Sequence, residues 1–344
     1  VRPAKRPARS GENRVLCPEP LDFDAVIEQS KDDSGSLNWS EAFGHLTVMG
    51  PEAIHWLNLR PEGAYVDGTL GGGGHSRLIL KALGPEGRLI ALDRDPEPRA
   101  WAREGWGRDE GRLKVAAGNF VNMDEILAEQ GLDQVDGILL DLGLSSRQLA
   151  LPGRGFSWLK DEALDMRLDP EGDLTALEVV NRYQEKDLAD LIWRYGEERA
   201  SRRLARAIVR ARQKKPLETT GELAALAAAA LYRPGPPPRI HPATRLFMSL
   251  RIEVNRELAD LESFLSRAPG FLKPGGRLVI ISFHSLEDRL VKEAFRGSGQ
   301  TGPSPWLRLH KKPLTAGPEE LEQNPRARSA KLRAAEKAEL SNRP

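Results

Sequence analysis

From residue 45 onward, apolar positions fall into short unbroken runs, separated by stretches where they recur every three or four residues. The runs are Ala64-Tyr65-Val66-Asp67, Arg88-Leu89-Ile90-Ala91-Leu92-Asp93, residues 113–116 and Gly137-Ile138-Leu139-Leu140-Asp141, with a helical pattern over 76–83 between the first two. Continuous apolar runs alternating with helical segments predict parallel strands buried on both faces, built as βαβ units. One more such run, at 277–282, follows the turn Lys273-Pro274-Gly275-Gly276. About 135 residues separate it from Asp141, too many for one crossover. Within them, 175–232 read as consecutive helices: Leu188, Leu191, Ile192 and Tyr195 share one face, and Leu204, Ile208 and Ala211 another. The proline-rich segment 234–238 ends that pattern. The expected fold is therefore α/β, a doubly wound Rossmann-like sheet with an inserted all-helical domain. The expected boundaries are a flexible extension over 1–44, a discontinuous core over 45–148 and 246–296, the insert over 149–245, and a basic C-terminal segment over 297–344.

Charge changes this picture little at first. Fifty-one Lys and Arg against fifty Asp and Glu leave a formal net charge of +1, so any affinity for nucleic acid must come from a local patch. The single cysteine, Cys17, excludes a disulfide framework and a cysteine zinc site. The six histidines (45, 55, 75, 241, 284 and 310) lack ligand spacing, so no metal is expected. No run approaches the ~20 apolar residues of a membrane span, and the basic start, with Arg2, Lys5, Arg6 and Arg9, lacks a following apolar segment. A cytoplasmic location is the expectation.

The first strand runs into Asp67-Gly68-Thr69-Leu70-Gly71-Gly72-Gly73-Gly74-His75. A glycine turn before a helix, at the end of the first strand, is where open α/β sheets bind nucleotides. Dinucleotide proteins share that turn. Here an acid precedes the glycines, which disfavours a pyrophosphate and suits a cationic ligand such as S-adenosylmethionine. Asp93 closes the second strand, placed to accept both ribose hydroxyls of such a ligand. After the third strand, Phe120 stands either beside an adenine or in the core.

The fourth strand ends Asp141-Leu142-Gly143-Leu144-Ser145-Ser146-Arg147-Gln148, facing the same crevice. Asp141 is suited to accept an N–H from a poorly nucleophilic base amine, or to hold the cofactor's amino group. No base is assigned. Past the fifth strand, Ser285 and Asp288 have the spacing of a helix cap, and a histidine placed like His284 is more often structural than catalytic.

Arg199, Arg202, Arg203, Arg206, Arg210, Arg212, Lys214 and Lys215 crowd seventeen residues. Arg199, Arg202, Arg206 and Arg210 share a helical face, which suits phosphate contacts. A second basic cluster spans 326–333.

These stretches together resemble the MraW family, the bacterial small-subunit ribosomal RNA cytidine-N4 methyltransferases. The matching motifs are HLTVMG (45–50), YVDGTLGGGGHSRLIL (65–80), ALDRDP (91–96), DGILLDLGLSSRQL (136–149), RGFSW (154–158) and LDMRLDP (164–170). They continue with YGEERASRRLARAIV (195–209), HPATRLFMSLRIEVNREL (241–258), IISFHSLEDRLVK (280–292) and NPRARSAKLRAAE (324–336). The resemblance implies a class I methyltransferase core and transfer of a methyl group from S-adenosyl-L-methionine to the N4 amine of a cytidine near the decoding centre. It makes the partner 16S ribosomal RNA or the assembling small subunit, with the helical insert recognising RNA. It also implies cofactor contacts at Gly73, Gly74, His75, Asp93, Phe120, Asp141 and Gln148. Departures are Met248, where members often carry glutamine, and an N-terminal extension longer than expected. Three other readings compete: a methyltransferase of protein or small molecules, which leaves the arginine helix unexplained, a non-enzymatic RNA-binding assembly factor, and an NAD-linked oxidoreductase, for whose hydride chemistry the sequence offers no dedicated residues.

Overall fold

The computed structural model describes residues 47–106, 109, 111–232, 234, 240–297 and 304–339; the extension expected over 1–44 and most of the proline-rich segment lie outside them. The chain from Gly44 onward clusters as one compact unit.

Seven strands form one sheet: β1 (Ala64–Asp67), β2 (Arg88–Asp93), β3 (Leu113–Ala117), β4 (Val135–Asp141), β5 (Leu272–Ser282), β6 (Trp306–Arg308) and β7 (Lys331–Lys337). Their order is β3-β2-β1-β4-β5-β7-β6. The pairings β1–β2, β2–β3, β1–β4 and β4–β5 are parallel, whereas β7 runs antiparallel to both β5 and β6. This is the doubly wound arrangement, and its order reverses between β1 and β4. A ligand crevice therefore opens at the carboxyl ends of those two strands. All four residues of β1 are buried and six of seven in β4, which is why both read as unbroken apolar runs.

Helices α1 (Gly50–Leu57), α2 (Gly74–Ala82), α3 (Pro96–Gly105), α4 (Met123–Glu129) and α5 (Ser146–Ala150) lie between or before the first strands. Five more follow and pack together apart from the sheet: α6 (Ala176–Arg182), α7 (Glu185–Gly196), α8 (Ser201–Arg212), α9 (Thr220–Leu231) and α10 (Pro242–Val254). They have their own apolar core, including Val179, Leu188, Ile192, Leu204, Ile208, Leu223 and Leu246. A separate cluster under the sheet joins Val66, Ile90, Ile138, Leu140 and Ile280 to Phe264 and Leu265 of α11 (Glu257–Phe271). Helix α10 runs unbroken across position 245, and its Phe247 and Leu250 pack with the helical core.

Two differences from the sequence expectation have identifiable physical causes. The turn expected at 273–276 sits inside β5, where Gly275 takes φ +74° and the β4 register shifts between Val135 and Gly137. The segment 297–344, expected outside the core, supplies β6 and β7. Arg333 hides in β7 because its guanidinium pairs with Asp288 of α12 (Ser285–Arg296) at 2.7 Å, so a buried strand carries a surface-like sequence.

Candidate functional site

At the end of β1 the Asp67 carboxylate is fully buried and turned back on its own loop. It accepts from the Thr69 N–H at 3.1 Å and from the Ser76 hydroxyl at 2.6 Å, tying the glycine turn to α2. The Thr69 hydroxyl oxygen in turn accepts from the Asp141 N–H at 2.6 Å, stitching this turn to the end of β4. The loop is thus fixed by the chain itself.

Within the turn, Gly71 and Gly73 adopt φ +46° and +73°. A Cβ at Gly73 would lie 2.6 Å from the Trp106 ring, and one at Gly74 would lie 1.8 Å from the Thr47 hydroxyl oxygen. At Gly72 a Cβ would meet nothing within 4 Å. Gly73 and Gly74 are therefore required by packing at the start of α2, while Gly72 borders open space.

Asp93, at the end of β2, accepts from the Gly71 N–H and from the Asp95 N–H, both at 2.9 Å. Burial, with the neighbouring Asp95 charge adding to it, pushes its carboxyl up to about 6. Each of its oxygens retains a lone pair for a hydroxyl donor. Asp95 is fully buried and organises the next layer: it caps α3 through the Glu97 N–H at 3.1 Å and accepts from Gln148 Nε2 at 3.1 Å and from Arg154 at 3.0 Å. Gln148 also accepts from the Ser145 N–H at 2.9 Å, completing the capping box of α5. The sequence reading passed over Asp95 and Arg154. The signal was present, because Asp-Pro before a helical stretch marks an N-cap followed by proline in the first turn.

His75 is buried, and its Nε2 lies 3.1 Å from the Val48 carbonyl oxygen. Burial drops its pKa to about 4, so the ring is neutral. A carbonyl only accepts, so Nε2 carries the proton and Nδ1 keeps its lone pair. That lone pair lies 3.6 Å from Asp141 Oδ2, while the other oxygen of Asp141 is buried with no hydrogen-bond partner. Burial raises Asp141 well above the usual carboxylate range, and the Asp67 and Glu287 charges add to this. Asp67 is also raised, by burial. The structure thus gathers Asp67, His75, Asp93 and Asp141 along one strand edge, with no cation paired to Asp93 or Asp141 among the described residues.

Phe120 is in the core, edge-on to Phe264 at 5.4 Å between ring centres. The helix after β5 is capped differently from the Ser285/Asp288 expectation. His284 is the N-cap and Glu287 reciprocates, while Asp288 is taken by Arg333 and Lys331. Glu257, His284 and Glu287 bring ligand-type atoms within 4.8 Å of one another, a grouping that histidine spacing alone did not suggest. Arg251 already grips Glu257 with two bonds of 2.7 and 2.8 Å, and the Glu287 carboxylate accepts from the Phe283 N–H at 2.8 Å.

The basic clusters divide on inspection. Arg212 donates to the Val180 and Tyr183 carbonyls, each at 2.6 Å, and so holds α8 to the end of α6. Arg206 pairs with Glu185 and Lys215 with Glu222. Arg199, Arg202, Arg203 and Arg210 are exposed.

This crevice fits a cationic adenosine-bearing methyl donor. It offers an unpartnered buried carboxylate oxygen at Asp141, acids with raised pKa values, a carboxylate at Asp93 able to accept hydroxyls, and an open edge at Gly72.

Comparison with known proteins points the same way. The family model described as the MraW methylase family matches residues 42–338. The ribosomal RNA small subunit methyltransferase H of Geobacter sulfurreducens is 50% identical over 308 residues, covering 86% of this chain and 99% of its own. That of Acidobacterium capsulatum is 50% identical over 300 residues, with coverages of 85% and 98%. The Xylella fastidiosa protein of the same name is 46% identical over 310 residues, covering 86% and 98%.

Proposed function

The chain belongs to the MraW methylase family, and from that premise we propose that it methylates the N4 amine of a cytidine in 16S ribosomal RNA near the decoding centre. The substrate is taken up as free RNA or within the assembling small subunit, which sets the work in the cytoplasm. The observation that carries the reading is the acid-lined strand edge, where Asp141 keeps a buried oxygen without a partner.

S-adenosylmethionine supplies an electrophilic methyl group on a sulfonium centre when bound. Asp93 would accept its ribose hydroxyls, and Gly73, Gly74 and His75 would form the backbone wall beside it. Gln148, held by Asp95, would stand on the adenine side, together with the backbone at Phe120, whose ring packs in the core. Asp141, with its unpartnered buried oxygen, would face the positive end of the cofactor, whose approach would lower its raised carboxyl pKa. Alignment in the crevice then does most of the catalytic work, since in-line displacement is governed by geometry and can gain roughly 7–11 kcal/mol from it. No side chain is assigned as a base.

The test is labelled methyl transfer from S-adenosylmethionine to small-subunit RNA, with nucleoside mass spectrometry of the product. N4-methylcytidine at one position is the expected result. Label on protein only, or on another base, contradicts the reading.

A further inference from the structure

The sharpest feature outside the crevice is a cleft of about 740 Å³ between α7 and the start of α8, lined by Asp190, Trp193, Arg199, Arg202 and Arg203 among others. We propose that this cleft binds an unpaired nucleotide of the RNA substrate flanking the methylated base, with its base on Trp193 and its phosphate at the three arginines. The proposal rests on the ribosomal RNA reading above and adds a recognition site to it.

Several observations converge. Trp193 is 57% exposed although its neighbours Leu191 and Ile192 are buried, and no ring or guanidinium stacks on it among the described residues. An exposed indole face is a platform on which any base can stack. Arg199, Arg202 and Arg203 are exposed and form no ion pair with a described residue, so their charge is available to a phosphate. Helix α8 begins without an acid in its first turn, and Glu198 at its start, which accepts from the Ala200 N–H at 2.8 Å, has its charge met by Arg245, so the helix's positive end adds to the arginines. Asp190, the carboxylate on the lining, accepts only hydrogen-bond donors, such as a base amine or a ribose hydroxyl, and keeps the phosphate to the arginine side.

Position gives the last. Glu197, two residues before Arg199, accepts from the Ser285 hydroxyl at 2.8 Å and from Arg289 at 3.3 Å. Ser285 is the first residue of α12, directly after the edge of β5 that bounds the crevice. A strand whose target base enters the crevice therefore passes over the Glu197–Ser285 contact to reach the cleft. Electrostatics and stacking together favour RNA over a protein segment here, because three clustered arginines beside one indole match a phosphate and a base carried on the same ribose.

The test uses the full chain with a fluorescein-labelled decauridylate, an unstructured RNA, read by anisotropy. Trp193→Ala should weaken binding about tenfold, within the range of one base–aromatic stack, and Trp193→Phe should retain it within about twofold. Both variants should bind S-adenosylmethionine and melt as the wild type does. Equal binding by wild type and Trp193→Ala overturns the cleft, as does displacement of the labelled RNA by a polyglutamate peptide but not by unlabelled RNA. Methyl transfer to small-subunit RNA is measured in parallel on the wild type alone. Failure there removes the ribosomal RNA reading, whereas normal transfer with unaltered Trp193→Ala binding removes only the cleft.

Discussion

Asp93 sits at about 6 when its donors among the described residues are two backbone N–H groups. Ribose hydroxyls donating to it favour the charged form, so the donor should bind the carboxylate and lower its pKa. Affinity for S-adenosylmethionine should then fall as pH drops below about 6, with proton release on binding near that pH, both readable by calorimetry in buffers of different ionisation heat. Asp93→Ala should cost about 1.5–3 kcal/mol of affinity at neutral pH, the scale of one charge-assisted bond, and flatten the pH dependence. Stability has its own sign. Asp93 binds its proton more tightly folded than unfolded, so it lowers stability as pH rises from 3.8 to about 6. His75, neutral to about 4 when folded against 6.5 in the open chain, does the reverse, and its contribution is lost as pH falls through that window. Removing one removes one slope: between pH 4 and 6, Asp93→Ala should gain stability with pH more steeply than the wild type in urea unfolding.

The glycine turn between β1 and α2 separates packing from binding at adjacent positions. Gly74→Ala forces a methyl group into Thr47, and backbone shifts of that kind cost about 1–3 kcal/mol, so its melting point should fall. Gly72→Ala meets no protein atom, so its stability should stay within about 0.5 kcal/mol while its cofactor affinity drops. Unchanged affinity in Gly72→Ala would place the donor elsewhere. The glycine run was plain in the sequence, but which glycines serve the fold was not, because Trp106 and Thr47 reach them only through tertiary contact. The same division runs through the other elements. Strands β1, β2 and β4 were legible because burial on both faces leaves short apolar runs, each closed by an aspartate at the carboxyl end. Strand β7 was hidden because Arg333 and Lys331 are neutralised by Asp288, a partner 43 to 45 residues away. Asp93 and Asp141 could be found from their place at strand ends, and Gln148 only through family resemblance. Its tie to Asp95 spans 53 residues and leaves no local periodicity.

At the scale of the whole molecule, a formal charge of +1 predicts no long-range pull on RNA, so binding must come from cations that are free to meet phosphates. Helix α8 presents both kinds on one exposed face. Arg202 and Arg210 make no ion pair with a described residue, whereas Arg206 shares its charge with Glu185 at 3.4 Å. A cation released from counterions by a phosphate steepens the salt dependence of binding by about 0.7 per contact on single-stranded RNA. The double change Arg202→Gln with Arg210→Gln should therefore lower the slope of log affinity against log salt by roughly 1.4. Arg206→Gln should lower it less, because removing that charge also frees the Glu185 carboxylate to repel the strand. Cofactor affinity should be the same in all three proteins, since none of these side chains borders the strand edge that holds Asp93 and Asp141. If the double change leaves the slope where it was, α8 is a solvated face, and the electrostatic contribution to RNA binding has to be sought on another surface of the molecule.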